Sequence, residues 1–258
     1  MKFKILTGLL TGLVVSTTTS LVNCQPSHAE NKNFSLRIPI DQNFNLLAAT
    51  KVDLGAQVAS EALTQNQTAE EFYNQAVEKY KAGDYPGAIE SYTQAIKLNP
   101  NYAEAYNDRG VVRSNLGDKK GAIADFDQAI KIKPNDANAY INRGNLRDES
   151  GDRQGAIADY DQAIKNNPNN AIAYVNRGNA RDDSGDSQGA IADYEQALKI
   201  NPNYALAYYN RGITRSRLKD KPGAIADLQK STELFQKQGN KVLYEKAINI
   251  INRLQESP

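Results

Sequence analysis

The side chains able to do chemistry in this 258-residue sequence recur at a fixed interval rather than converging on one point. Arg109, Arg143, Arg177 and Arg211 stand 34 residues apart, and Arg113, Arg147, Arg181 and Arg215 follow each by four. Asp125, Asp159, Asp193 and Asp227 keep the same step, as do Asn142, Asn176 and Asn210. Guanidinium and carboxylate groups on a common period can build a ladder of charge-assisted hydrogen bonds, while side-chain amides both donate and accept, as a binding surface for polypeptide backbone requires. Catalytic chemistry has far less to work with. Cys24 is the only cysteine and His28 the only histidine, so a disulfide framework, a zinc cluster and a Cys/His nucleophilic pair are all ruled out. The carboxylates belong to the repeat, and neither a phosphate-binding glycine loop nor a nucleophile beside a base is present. The expectation is a non-enzyme with no cofactor and no metal.

The elements that position these groups follow from the same period. Pro100, Pro134, Pro168 and Pro202 are 34 apart, and a Gly-Ala-Ile run begins at Gly87, Gly121, Gly155, Gly189 and Gly223, which makes five units. A period of this length signals stacked supersecondary units rather than one closed core. Counting each unit from Ala69, Ala103, Ala137, Ala171 and Ala205, the fourth place is aromatic throughout: Phe72, Tyr106, Tyr140, Tyr174 and Tyr208. The eighth is small, being Ala76 and then Gly110, Gly144, Gly178 and Gly212. Glycine within a helix is about 1 kcal/mol less favourable than alanine, so its recurrence predicts a second backbone too close for a side chain. Gly83, Gly117, Gly151 and Gly185, each followed by Asp, predict a left-handed helix end and then an N-cap. The second helix, with small residues such as Ala156 and Ala163 around Tyr160, must stop before the proline.

An aromatic, small, Gly-Asp, Ala, aromatic, Ala, Pro pattern over 34 residues, repeated five times in phase, resembles the tetratricopeptide repeat family. The resemblance implies an all-α fold: a right-handed superhelical solenoid of helical hairpins with a concave groove. Arg at the seventh place departs from the family's usual Leu. With Arg at the eleventh place on the same helix face and Asp on the second helix, it predicts Arg–Asp contacts within the stack. The last unit departs too, with Lys219 for the turn glycine, Ser231 for alanine and Gln236 for proline. Stacking should end there, and Tyr244, Ala247, Ile248, Ile251 and Leu254 form the apolar stripe of a capping helix.

In the resembled family the first helix of each unit lines the groove, chiefly at the second, fifth, sixth, ninth, twelfth and thirteenth places. Carried onto this chain, those places hold Asn74, Asn142, Asn176 and Asn210 at the sixth, with Asp108 interrupting, and Asn145 and Asn179 at the ninth. Such a row is similar to the asparagine series by which some members grip the backbone of an extended peptide; a merely solvated polar face is the competing account. Tyr73 and Tyr209, with Ile141 and Val175 between them, occupy the fifth place and add apolar contact area. Asp148, Glu149, Asp182 and Asp183 at the twelfth and thirteenth places would make an acidic floor that favours a basic partner, and a solvated surface explains the same residues equally well. Members that bind chaperone tails pair a Lys at the fifth place with Asn at the ninth, and Ile141 and Val175 stand against that mode. The partner implied is an extended peptide segment of a protein; the alternative is an architectural subunit joined through its ends or convex face. The oligomeric state is not written in the sequence.

A formal charge of +1 argues against nucleic acid. Lys2 and Lys4 precede an apolar stretch from Ile5 to Val15, and Ser27-His28-Ala29 offers a cleavage site, so residues 1–29 read as a secretory signal peptide. The stretch falls short of the ~20 residues that span a bilayer. Leu21-Val22-Asn23-Cys24 is a rival lipoprotein box, from which Asn23 departs. An exported chain in the periplasm or an equivalent lumen is expected. Residues 30–66 read as a linker, with Val52, Ala56, Ala59 and Leu63 at helical spacing over the first repeat; 67–238 hold five repeats and 239–258 the capping helix.

Overall fold

A computed structural model describes residues 68–256; the leader, the Cys24 box, the linker and its helical spacing lie outside them. Among the described residues there are eleven α-helices and no strand. The helices are α1 (Ala69–Lys81), α2 (Tyr85–Leu98), α3 (Ala103–Asn115), α4 (Lys119–Ile132), α5 (Ala137–Glu149), α6 (Arg153–Asn166), α7 (Ala171–Asp183), α8 (Ser187–Ile200), α9 (Ala205–Arg217), α10 (Lys221–Lys237) and α11 (Lys241–Glu256). Consecutive helices pair, α1 with α2 through α9 with α10, and each hairpin packs on the next, with weaker contact between successive first helices such as α5 and α7. This is an α-solenoid, in which each unit is held only by its neighbours.

The local reasons recur with the period. Gly83, Gly117, Gly151 and Gly185 all have positive φ, and the aspartate after each caps the second helix by accepting from a glycine N–H three residues on, as Asp152 does from Gly155 at 3.0 Å. A Cβ on Gly155 would lie 2.2 Å from that carboxylate, so glycine is needed there for the cap to close. The first hairpin opens on a reciprocal capping box between Thr68 and Glu71.

The core is a line of small clusters. Ala156, Tyr160 and Ala180 form one, and Val175, Ala190, Tyr194, Ala197, Leu198 and Ala207 another. Each buried ring contributes about 1.5–3 kcal/mol. The eighth-place glycines are small for a different reason than the sequence suggested. A Cβ on Gly144 would sit 2.8 Å from the Tyr160 ring, on Gly178 2.7 Å from Tyr194 and on Gly110 2.7 Å from Phe126. At these three an aromatic side chain of the paired helix occupies the space where backbone had been expected, whereas a Cβ on Gly212 would meet Leu228 at 2.9 Å and the Ala224 carbonyl oxygen at 3.2 Å.

The last unit closes although its turn glycine is missing. Lys219 itself takes the left-handed conformation, with φ 64. Without a proline, α10 runs for 17 residues, and α11 then folds back through Gly239 to bury Ala247 and Ile251 against Leu228.

Candidate functional site

The arginine and aspartate ladder is part of the stack. In the third unit Arg143 donates from Nε (3.0 Å) and Nη2 (2.6 Å) to the buried Asp159, and Arg147 adds a third bond at 2.9 Å. The second, fourth and fifth units repeat this around Asp125, Asp193 and Asp227. Each seventh-place guanidinium also lies over the fourth-place ring of its own helix, 5.5 Å away for Arg177 and Tyr174. Its remaining nitrogen reaches back to the preceding unit, to Asp127 from Arg143 and to Asp161 from Arg177 at 2.5 Å. Burial alone would lower the Arg143 pKa, but its bonds to Asp159 and Asp127 outweigh this and raise it. The first unit has Gln75 and Ser91 at these places, and Lys79 donates to Ser91 instead at 2.9 Å.

The amides also bond across units. Asn176 donates to Asn145 Oδ1 and Asn210 to Asn179 Oδ1, both at 2.8 Å. Asn142 donates to Asn107 at 3.0 Å. Tyr160 and Tyr194 direct their hydroxyls onto the same Asn145 and Asn179 oxygens at 2.8 Å. Burial raises both phenols, so they remain neutral donors. Half of each amide is therefore committed to the stack. The Nδ2 groups of Asn145 and Asn179 and the Oδ1 atoms of Asn142, Asn176 and Asn210 take no part in these bonds.

Cavities open along this row. One of about 340 Å³ is lined by Asp148, Asn179, Asp182, Asp183, Tyr194, Asn210, Ile213 and Arg217. A second, of about 230 Å³, is lined by Asn145, Asp148, Glu149, Tyr160, Asn176 and Asn179. A third, of about 170 Å³ and more apolar, lies at the first two units among Val77, Tyr80, Tyr92, Asp108, Val111 and Val112.

The structure thus brings Asn142, Asn145, Asp148, Asn176, Asn179, Asp182 and Asn210 into one tract, and it places the others differently. Asn74 is exposed on α1, outside the bonded amide series. Tyr73 stacks on Tyr102 at 5.0 Å and donates to Asp108 at 2.7 Å. Tyr209 packs edge-on against Phe235 and touches the cluster that seats α11, because in the last unit the fifth place meets the cap. Ile141 and Val175 are buried in the interior, at 7% and 3% exposure, so they add no open apolar area. Asp182 is no part of an open acidic floor: it accepts from Thr214 (2.7 Å) and Ser187 (2.8 Å) and pairs with Arg217. Tyr160 and Tyr194 were missed as members of the tract. A signal existed, since Phe126 and Leu228 stand opposite Val111 and Ile213 at the ninth place, whereas the tyrosines face asparagine; Tyr92, against Val77, breaks that rule.

No group of three or more His, Cys, Asp or Glu able to hold a metal ion exists among the described residues, and no described helix is long and apolar enough to cross a membrane. What this arrangement of donors and acceptors can do is bind.

Comparison with known proteins agrees. Family models described as "TPR repeat" and "Tetratricopeptide repeat" match residues 77–117, 103–136, 141–205 and 176–238. The chain belongs to the tetratricopeptide repeat family. Among solved structures, a crystal structure of MamA is 27% identical, with a TM-score of 0.59 over 64% of this chain and 96% of that one. A fragment of MamA from Desulfovibrio magneticus RS-1 is 22% identical, with a TM-score of 0.61 over 66% and 96%. YrrB, described as a TPR protein with an unusual peptide-binding site, is 21% identical, with a TM-score of 0.59 over 74% and 97%. A search of curated proteins found no match. Family and fold give the chain a general role as a protein-interaction scaffold, with proteins as partners.

Proposed function

We propose that the concave face of the repeats binds an extended peptide segment of an envelope protein, and that the chain is exported to the periplasm or an equivalent lumen and acts there without enzymatic activity. The observation that carries this reading is the amide tract. Asn145, Asn176, Asn179 and Asn210 are held in place by bonds between units, and each keeps a donor or acceptor outside those bonds. Orientation is supplied in advance, so a peptide backbone would not have to order these side chains on arrival. YrrB, a neighbour in fold described as having a peptide-binding site, lends support to the same use here.

The test compares the chain with a variant carrying Asn142→Ala, Asn176→Ala and Asn210→Ala. Each is immobilised and exposed to envelope extract after matching helical content and melting have been confirmed. A protein held by the first and lost by the second is the expected result. If both hold the same set, the groove reading fails, and the solenoid ends or the convex face become the binding surface.

A further inference from the structure

At the first and last of the four repeat junctions, the thirteenth place of one unit bonds to the twelfth place of the unit before. At the first junction Asn115 donates to the Tyr80 hydroxyl at 3.4 Å, and at the last Arg217 pairs with Asp182; both pairs are 35 residues apart. Hydroxyls of Thr214 and Ser187 complete the Asp182 carboxylate.

Asp148 holds the equivalent position one unit earlier, and each of those partners is replaced. Asp183 stands in the place of Arg217, Ala180 in that of Thr214 and Arg153 in that of Ser187. The result is an unmatched group: Oδ1 of Asp148 is buried and has no hydrogen-bond partner. Arg153 contributes opposite charge but does not bond that oxygen, while Asp183 and Glu149 add like charge. Asp148 lines the cavity of about 230 Å³ together with Asn145, Asn176 and Asn179, and also the one of about 340 Å³ that Arg217 lines. A buried carboxylate oxygen normally has a partner, and in this molecule the partner supplied at the neighbouring junction is a guanidinium.

We propose that the Asp148 cavity receives an arginine side chain of the bound peptide, which takes the role that Arg217 plays for Asp182. The inference rests on the groove reading and adds the class of residue recognised. Guanidinium suits the site because it is always charged and carries five donors in a plane. The carboxylates of Asp148 and Glu149 and the amide oxygen of Asn176 are acceptors lining the same cavity.

The experiment titrates N-acetyl-arginine methylamide, and separately its neutral isostere N-acetyl-citrulline methylamide, into the isotopically labelled chain. Side-chain amide signals of Asn145, Asn176 and Asn179 report binding. A saturable shift with the arginine probe is expected, with citrulline at least about tenfold weaker, since a hydrogen bond to a charged group is lost. Asp148→Asn should abolish the response. Asp183→Arg should abolish it too, by filling the cavity from within, and should melt higher than the parent. Equal responses to the two probes, no response to either, or an arginine response that survives both variants would each overturn the proposal.

A random peptide library selected on the chain separates this idea from its foundation. Peptides that need Asn142, Asn176 and Asn210 but show no preference for arginine would sink the arginine pocket and leave the groove standing. Asp148-dependent arginine binding, in a chain whose selected peptides ignore the three asparagines, would sustain the pocket and sink the groove.

Discussion

Asp159 and Asp148 lie 11 positions apart and have opposite surroundings. Asp159, 2% exposed, accepts three N–H bonds from Arg143 and Arg147. Asp159→Asn leaves both guanidinium groups without their shared counter-charge and should destabilise the chain by about 3 kcal/mol in urea unfolding. Asp127→Asn removes a half-exposed partner of the same Arg143 and should change stability by less than about 1 kcal/mol. Asp148 behaves in the reverse sense. Burial, opposed by Arg153 and reinforced by Asp183 and Glu149, raises its pKa. The folded chain then holds that proton more tightly than the unfolded chain, so stability falls as pH rises from the ordinary carboxylate range through the raised value. Asp148→Asn should therefore be stabilising at pH 7. The gain should vanish below about pH 4, where Asp148 is protonated in both states. Melting curves of the pair across that range check the sign; an Asn variant less stable at pH 7 would mean the carboxylate is paired. A group that weakens the fold while lining a cavity is what a binding site looks like when stability and function pull apart.

Helices in this chain are begun and ended by a few residues, and the fifth hairpin shows how much substitution they tolerate. Lys219 adopts φ 64, a conformation that a side chain disfavours. Lys219→Gly should stabilise the last hairpin by about 1 kcal/mol, visible as a higher melting temperature. Gly144→Ala should act oppositely, because the new methyl would meet the Tyr160 ring at 2.8 Å while the Tyr160 hydroxyl is held by Asn145. A loss of about 1–3 kcal/mol is expected from such overpacking. Because Tyr160 is tied to Asn145, the same change should also shift the Asn145 side-chain amide signal. The hairpin and the candidate site are thus mechanically joined at one ring.

The stack of repeats is held by contacts between neighbours, so damage at one end should stay there. Removing α11 by ending the chain after Gln238 exposes Leu228 and Phe235, both buried beneath it. Amide hydrogen exchange should then quicken in α9 and α10 while α3 to α6 keep their protection. Uniform loss of protection would show instead that the described units open as one body. The same nearest-neighbour logic bears on function. Each cavity in the tract is built across a repeat junction, and a partner bridging several junctions would couple units that otherwise communicate only in sequence.

Much of this protein was legible in one dimension because the relevant contacts are short in sequence and repeat. The hairpins, their glycine turns and aspartate caps, and the pairing of Arg143 and Arg147 with Asp159 all lie within a single period, so spacing alone brought the groups onto facing sides of two helices. The tertiary structure decided what happens between periods. It committed half of each amide to the next unit, turned Tyr209 under α11, buried Ile141 and Val175, and gave Asp182 an arginine that Asp148 lacks. Those outcomes depend on the angle and offset at which one hairpin sits on another. That register is set by the summed packing of two surfaces, and no spacing within one unit contains it.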